Sequence, residues 1–303
     1  MNEPSIVTGA FSYTGSYIAR ELLARGMQVC TLTNHPKRAE MFDDQIEVKP
    51  LVLSDKAQLV ESMKGASVLY NTFWIRFERK SMTFKRALEN TKVLLSAARE
   101  AGIERVVHVS VTNPDIESDL PYFRGKAEAE QIVADSGLSH AVLRPAVLYG
   151  ADGVLINNLA WLIRLFPVFP VPGDGKYRLQ PTLVEDFAKL AVDCGGETVN
   201  YVVDAVGPET FSFNELLRLI ARSVNRRALL IHLPLELALS LSRIPGIVLR
   251  DVLMTRNEVK GLSRNLLASS SIPSCSTKLS DWLKENSGRI GRRYISDFAR
   301  HYR

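Results

Sequence analysis

Thr8-Gly9-Ala10-Phe11-Ser12-Tyr13-Thr14-Gly15 stands between a β-branched run, Ser5–Thr8, and a helical pattern over 15–25. That pattern carries Ile18, Leu22 and Leu23 on one face and ends at Gly26, a residue suited to a helix cap. Gly9 suits a tight turn, and Gly15 lets the helix start pack closely on the strand. A helix N-terminus offers backbone N–H groups and the positive end of its dipole to an anion such as a pyrophosphate. Turns of this kind usually carry a middle glycine, and here that position holds Ser12. Its side chain crowds the backbone, yet its hydroxyl is itself a phosphate donor. The expected dinucleotide contacts are therefore Gly9, Phe11, Ser12, Tyr13, Thr14 and Gly15. The alternative is a glycine turn that holds no ligand.

Outward from the turn, short β-branched runs alternate with longer helical patterns. Strands are expected over 28–33, 46–53, 66–71, 105–110 and 141–148, with helices over 83–101 and 121–136. This alternation predicts an α/β fold, a Rossmann-type, doubly wound parallel sheet with helices on both faces. After Gly150 the pattern changes to an apolar stretch over 155–172, with Trp161, Phe166 and Phe169 as expected core. Two domains follow: a dinucleotide-binding domain over 1–150 and a smaller, mainly helical substrate or partner lobe over 151–303. A helix over 186–194 is expected to pack back on the first domain. Glu185 and Asp186 open that helix, where acids suit the dipole.

The chain has 303 residues, 46% hydrophobic and 23% charged, with 38 basic against 33 acidic residues and a net charge of +5. A mild basic excess suits an anionic ligand. No run of Lys and Arg is interleaved with aromatics, so no nucleic-acid partner is expected. Cys30, Cys194 and Cys275 lie far apart without metal or redox spacing, which fits a reducing compartment and no metal site. Residues 1–4 run directly into the first strand, leaving no room for a targeting peptide, so a cytoplasmic location is expected. The most apolar stretch, 228–249, is broken by His232, Pro234, Glu236, Arg243 and Pro245 and does not read as a membrane span.

Cofactor choice turns on the end of the second strand, Thr33-Asn34-His35-Pro36-Lys37-Arg38, which has no acid before Glu40. A carboxylate there would bind a ribose 2′-OH and repel a 2′-phosphate, whereas Lys37 and Arg38 attract one. NADP is the expected cofactor, with Asn34, Lys37 and Arg38 beside its ribose; NAD stays open.

Among nine tyrosines only Tyr122 has a lysine four positions on, Lys126. Pro121 suits a first helical position, which puts the two on one helix face. An ammonium beside a phenol favours its ionised form, so such a tyrosine moves a proton at a substrate oxygen. Ser110, twelve residues upstream at a strand end, is placed to hold that oxygen, with Thr112 as a competitor.

These motifs occur in a fixed order: Thr8-Gly9…Gly15, Asn90 in the long helix, Val109-Ser110, Tyr122…Lys126, Arg144-Pro145…Tyr149-Gly150 and Val184-Glu185-Asp186. In this order the chain resembles the short-chain dehydrogenase/reductase superfamily, extended or atypical branch, over roughly residues 4–205. The nearest likeness is to the NAD(P)-binding epimerase-like and NmrA-like groups, which include relatives of an accessory subunit of respiratory complex I. The resemblance implies a catalytic set of Ser110, Tyr122 and Lys126, with Asn90 supporting a proton relay. It also implies that Lys126 contacts the nicotinamide ribose, that Pro145 sits beside the nicotinamide ring, and that Asn71 lies at the cofactor. Two departures stand out. Asn71-Thr72-Phe73-Trp74 is bulky where sugar epimerases carry small residues, and Val111 replaces a common second serine. A nucleotide-sugar epimerase is therefore not expected.

Two readings remain from different classes. The first is an NADP-dependent oxidoreductase acting on a small-molecule carbonyl or alcohol, including an apolar lipid or quinone near a membrane. The second is a non-catalytic dinucleotide-binding subunit or redox sensor of a larger assembly. The tail over 289–303, with Arg289, Arg292, Arg293, Arg300 and Arg303 among Tyr294, Phe298 and Tyr302, is either a solvated basic helix or a docking surface for an acidic partner or anionic membrane. A homodimer through the helices over 83–101 and 121–136 is what the resemblance suggests. His108, with no second histidine nearby, reads as a packed strand residue.

Overall fold

The computed structural model describes residues 3–34, 41–79, 81–238, 240–241, 251 and 255–296. In the first part of the chain, β1 (Ser5–Thr8), α1 (Tyr13–Ala24), β2 (Val29–Thr33), β3 (Ile46–Pro50), α2 (Lys56–Met63) and β4 (Val68–Asn71) follow in order. Next come α3 (Phe84–Glu100), β5 (Arg105–Val109), α4 (Pro121–Ala134) and β6 (Ser139–Pro145). The remainder comprises β7 (Val147–Tyr149), α5 (Val154–Leu165), β8 (Val168–Pro172), β9 (Arg178–Leu179), β10 (Pro181–Leu183) and α6 (Val184–Gly195). After these stand β11 (Tyr201–Ala205), β12 (Phe211–Ser212), α7 (Phe213–Ser223), β13 (Leu229–Leu233), α8 (Arg256–Ser263) and α9 (Leu279–Asn286).

Seven strands form one sheet in the order β11-β6-β5-β4-β1-β2-β3. The five pairings from β3 across to β6 are all parallel. Strand order reverses between β1 and β4, so the carboxyl ends of these two strands flank the crevice where such sheets take ligands. The helices form where local chemistry starts them. Ser12, Asp55 and Thr83 each cap a helix through the side chain, and Pro121 occupies the first turn of α4. Thr83 is thus a cap rather than the first helical residue. The eight-residue α2, absent from the sequence reading, buries Leu59, Val60 and Met63. Together with Ile6, Leu32, Leu69, Leu94, Leu95 and Val106 these side chains form an apolar core, each contributing roughly 1.5–3 kcal/mol by its removal from water.

The chain divides into two compact units, Met1–Pro145 with Phe187–Asp204, and Ala146–Asp186 with Ala205–Arg303. Within the first unit, Arg105 donates to the carbonyls of Cys194 (2.6 Å) and Val199 (3.1 Å), and Arg25 pairs with Asp193 at 2.6 Å. These bonds tie the end of α6 and the segment after it to the sheet. Within the second unit, three two-stranded sheets (β7 with β10, β8 with β13, β9 with β12) accompany α5, α7, α8 and α9.

Two expectations need correction. The strand expected over 141–148 is two strands, β6 and β7, and β7 pairs with β10 instead of extending the main sheet. Pro145 lacks an N–H and ends the ladder there. Phe166, expected in the core, is 53% exposed, while Phe169 is buried and Trp161 half-buried against Tyr294. No helix among the described residues is long and apolar enough to cross a membrane.

Candidate functional site

The turn after β1 is built around Gly9, whose φ of +69° favours glycine. Its N–H donates to Leu32 O (3.2 Å), and its carbonyl accepts from Ser12 N at 2.8 Å. Thr31 Oγ1 bridges the turn to the sheet, accepting from Ala10 N (3.1 Å) and donating to Val7 O at 2.9 Å. Ser12 spends its oxygen as the cap of α1, accepting from Gly15 N at 3.4 Å. Its hydroxyl proton is thereby left as its contribution to a ligand. A Cβ on Gly15 would fall 2.2 Å from Gly9 O, so no other residue fits without displacing the turn.

The Phe11 amide donates to no acceptor among the described residues, and the first-turn amides of α1 have no acceptor within their own helix by geometry. Phe11 itself packs on Phe42, with ring centroids 6.1 Å apart. Open amides, a positive helix end and two obligatory glycines fit the pyrophosphate of a dinucleotide. Asn34 is exposed just beyond β2. Lys37 and Arg38 lie outside the described residues.

At the neighbouring strand ends a hydrogen-bonded cluster locks β1, β4 and β5 together. Asn71 is fully buried; its Oδ1 accepts from Thr8 Oγ1 (3.3 Å) and Phe73 N (3.1 Å), and its Nδ2 donates to His108 Nδ1 at 3.1 Å. Thr72 donates from its N–H to Thr8 Oγ1 at 2.8 Å. Asn71, expected at the cofactor, therefore spends its side chain inside the sheet edge. His108 is a packed residue whose pKa burial pushes down to about 3, with the charge of Lys126 adding to the shift. It is neutral at physiological pH. Accepting at Nδ1 leaves its proton on Nε2, which has no acceptor among the described residues.

Lys126 lies on α4 with 3% of its surface exposed, and its Nζ donates to Val109 O at 2.7 Å. That bond sets the amine at the end of β5, against the residue preceding Ser110. Ser110 is 4% exposed, and its Oγ has no partner among the described residues. The loop after β5 is held by Ser110 N donating to Leu143 O (2.7 Å) and Thr112 N donating to Pro145 O (3.0 Å). Pro145 is buried at the end of β6, and Thr112, the competitor to Ser110, is fully buried. Asn90 is half-buried on α3, and its side chain makes no hydrogen bond among the described residues. The structure does not link it to the tyrosine–lysine pair.

The Trp74 ring covers the Lys126 ammonium, with Nζ 4.8 Å from the ring centroid. Gly125 makes this possible, because a Cβ there would sit 3.1 Å from Trp74 Cζ2. Trp74 stacks on Phe84 (6.1 Å), Phe84 meets the edge of Tyr122 (6.3 Å), and Tyr122 meets Phe123 at 5.6 Å. Trp74 Nε1 is buried with no acceptor among the described residues. Burial lowers the Lys126 pKa to about 7, with Glu130 opposing the shift. The ammonium that the sequence reading sets beside Tyr122 is thus an amine that titrates near neutrality. The docking of Lys126 on a backbone carbonyl was not legible beforehand. Its one sequence signal is Gly125, the small residue that admits a tryptophan beside the lysine.

Residues 9–157 match the NAD(P)H-binding family. A ketoreductase of Stigmatella aurantiaca, named for 4-hydroxy-2-methyl-3-oxo-4-farnesyl-3,4-dihydroquinoline-1-oxide, is 30% identical over 241 residues, covering 70% of this chain and 72% of that protein. The chain belongs to the extended, NAD(P)-binding short-chain dehydrogenase/reductases. The chain is also 24% identical over 243 residues to the mitochondrial NADH dehydrogenase [ubiquinone] 1 alpha subcomplex subunit 9 of Arabidopsis thaliana, covering 77% of this chain. It spans 60% of the length of that relative and 55% of its mouse counterpart. Among solved structures it shares its fold with the Citrobacter sp. triphenylmethane reductase, with a TM-score of 0.75 at 18% identity. That alignment covers 94% of this chain and 99% of the other.

Proposed function

We propose that this protein is an NADP-dependent reductase of an apolar carbonyl compound, with Tyr122 as the proton donor. The observation that carries the reading is the Lys126 amine, held 2.7 Å from Val109 O. This places it beside Ser110, whose hydroxyl is buried and unpartnered, and one helical turn from Tyr122. A reduced nicotinamide, when bound, supplies a hydride to the carbonyl carbon. Ser110 Oγ donates to the substrate oxygen and fixes its position. Tyr122 gives its phenolic proton to that oxygen as the C=O bond becomes an alcohol, and Lys126, when charged, favours the phenolate left behind. Pyrophosphate binding falls to the Gly9–Gly15 turn, and the 2′-phosphate to Lys37 and Arg38.

An apolar substrate is supported by the rings of Trp74, Phe84 and Tyr122, which gather beside Lys126. The Stigmatella relative is named for a farnesyl-bearing substrate, and a structural neighbour of TM-score 0.74 is named an NADPH-dependent quinone oxidoreductase of Escherichia coli.

Side-by-side titration with NADPH and NADH, followed by tryptophan fluorescence, tests cofactor choice. NADPH is expected to bind at least roughly tenfold tighter, the weight of one charge-assisted contact to the 2′-phosphate. Replacing Lys37 and Arg38 by alanine is expected to erase that preference. Equal affinities in the unaltered chain would remove the 2′-phosphate assignment, and binding of neither would remove the reductase reading.

One observation favours the non-catalytic reading. Trp74 lies on the Lys126 amine and is stacked on Phe84, so aromatic side chains already cover the group that a reacting substrate and cofactor would need. The likeness to complex I subunits points the same way. That reading predicts cofactor binding without turnover.

A further inference from the structure

Leu165-Phe166-Pro167-Val168 is a run of four consecutive exposed residues without a polar side chain, at the junction of α5 and β8 in the second unit. Leu165 is 54%, Phe166 53% and Val168 40% exposed. In soluble proteins a run of this kind is a liability unless it is used. It also does not stand alone. β13 pairs with β8 in parallel, with Leu229 beside Val168 and Ile231 beside Pro170. Leu229 N donates to Pro167 O at 2.8 Å. Leu229 is 63% and Ile231 42% exposed, whereas Phe169 and Val171 of β8 turn into the core. One face of this two-stranded ribbon is therefore apolar and outward, and the α5 terminus extends it.

The same edge is ringed by arginine. Arg226 and Arg227 lead directly into β13 and are exposed, as are Arg222 on α7 and Arg289 and Arg292 after α9. Arg164 donates to the carbonyls of Ile290 (3.0 Å) and Ser287 (2.7 Å), one residue before the apolar run. Burial lowers its pKa, and the nearby charges of Arg292 and Arg226 lower it further. Arg226 and Arg292 thus both act on Arg164, the residue that precedes the apolar run. Among the described residues no carboxylate pairs with Arg226, Arg227, Arg289 or Arg292. Exposed cations without a carboxylate partner suit a diffuse negative surface, and apolar residues beside them suit hydrocarbon.

We infer that this face docks on an anionic phospholipid bilayer, with Phe166, Val168, Leu229 and Ile231 entering the interface and Arg226, Arg227 and Arg292 on lipid phosphates. The alternative of a second copy pairing strand to strand is disfavoured by β8 itself. Pro170 and Pro172 lack the N–H groups that an added strand needs. Within the apolar stretch over 155–172, Ile156, Leu159 and Ile163 are core residues, and Leu165, Phe166 and Val168 face outward.

Co-sedimentation of the full chain with vesicles tests the inference, comparing phosphatidylcholine alone with phosphatidylcholine containing phosphatidylserine. Binding is expected only to the anionic vesicles, and added salt is expected to weaken it. The paired change Arg226→Gln/Arg227→Gln is expected to weaken binding roughly thirtyfold, the weight of two charges near an anionic leaflet. Phe166→Ser/Leu229→Ser is expected to reduce it to background. All four positions are exposed, so unchanged melting and NADPH binding are expected for both variants. No binding to anionic vesicles, or binding indifferent to both changes, would overturn the inference. So would a dimer in solution that Phe166→Ser/Leu229→Ser converts to monomer without any vesicle association, since the face would then belong to a second copy.

Discussion

Tyr122→Phe is expected to lower turnover roughly a hundred- to ten-thousandfold, the usual contribution of a positioned proton donor, while leaving NADPH affinity unchanged. Phe84 and Phe123 pack on the Tyr122 ring, at centroid distances of 6.3 and 5.6 Å. Phenylalanine keeps both contacts and removes only the oxygen. The cofactor turn at Gly9–Gly15 is built from other residues, so binding and chemistry separate cleanly. Steady-state NADPH oxidation with a substrate carbonyl, paired with fluorescence titration, reads the two quantities independently. Equal turnover by the variant and the unaltered chain would remove Tyr122 from the mechanism.

Lys126→Met is expected to abolish turnover and, in the absence of cofactor, to make the protein more stable near neutral pH. The lysine stem is buried, and methionine fills much of the same space without a charge. Burial lowers the Lys126 pKa from 10.5 to about 7 in the folded chain. Between these values the unfolded chain holds a proton that the folded chain has lost, so Lys126 makes stability rise with pH across that window. Below about 7 both states are charged and the folded state bears the whole cost of burying the ammonium. Above 10.5 both are neutral and the cost is gone. A fall of this size corresponds to at most about 5 kcal/mol. The Val109 carbonyl and the Trp74 ring both favour the charged form and offset part of it. The variant is therefore expected to gain roughly 2–4 kcal/mol at slightly acid pH, shrinking toward zero near pH 10. Urea denaturation across that range checks it; parallel stability curves for the two proteins would contradict it. Such a gain marks a residue kept for function at the expense of stability.

Much of this architecture is written locally. Gly9, Ser12 and Gly15 announce a strand–turn–helix because each answers a local constraint: a positive φ, a helix cap, a close backbone approach. Tyr122 and Lys126 are legible as a pair because helix spacing alone puts them on one face. What needs three dimensions was not legible. Lys126 meets the Val109 carbonyl across seventeen residues, and Asn71 meets His108 across thirty-seven. The resemblance sets Asn71 at the cofactor, and the structure adds that its amide fastens strand ends together. The cap that Ser12 makes on α1 is equally local: its oxygen accepts from Gly15 N, which leaves its hydroxyl proton to donate. The strand over 141–148 looked continuous because apolar alternation runs through Pro145, but the proline ends its ladder and the chain changes sheets. Hydrophobicity alone puts Phe166 in the core. Composition cannot tell a core aromatic from one turned outward, and only the pairing of β8 with β13 shows which face is covered.

The most direct test of the central claim is label transfer from NADPH carrying deuterium at C4 of the nicotinamide, in separate preparations for each face of the ring. The full chain would be incubated with a panel of apolar ketones and quinones, and the products read by mass spectrometry. One preparation is expected to give a deuterated alcohol with the unaltered chain and none above background with Tyr122→Phe. For a quinol the label exchanges with solvent from oxygen, so the ketone arm carries the decision. NADPH bound at saturation with no labelled alcohol from any ketone would contradict the account and leave a dinucleotide-binding protein that does no hydride chemistry.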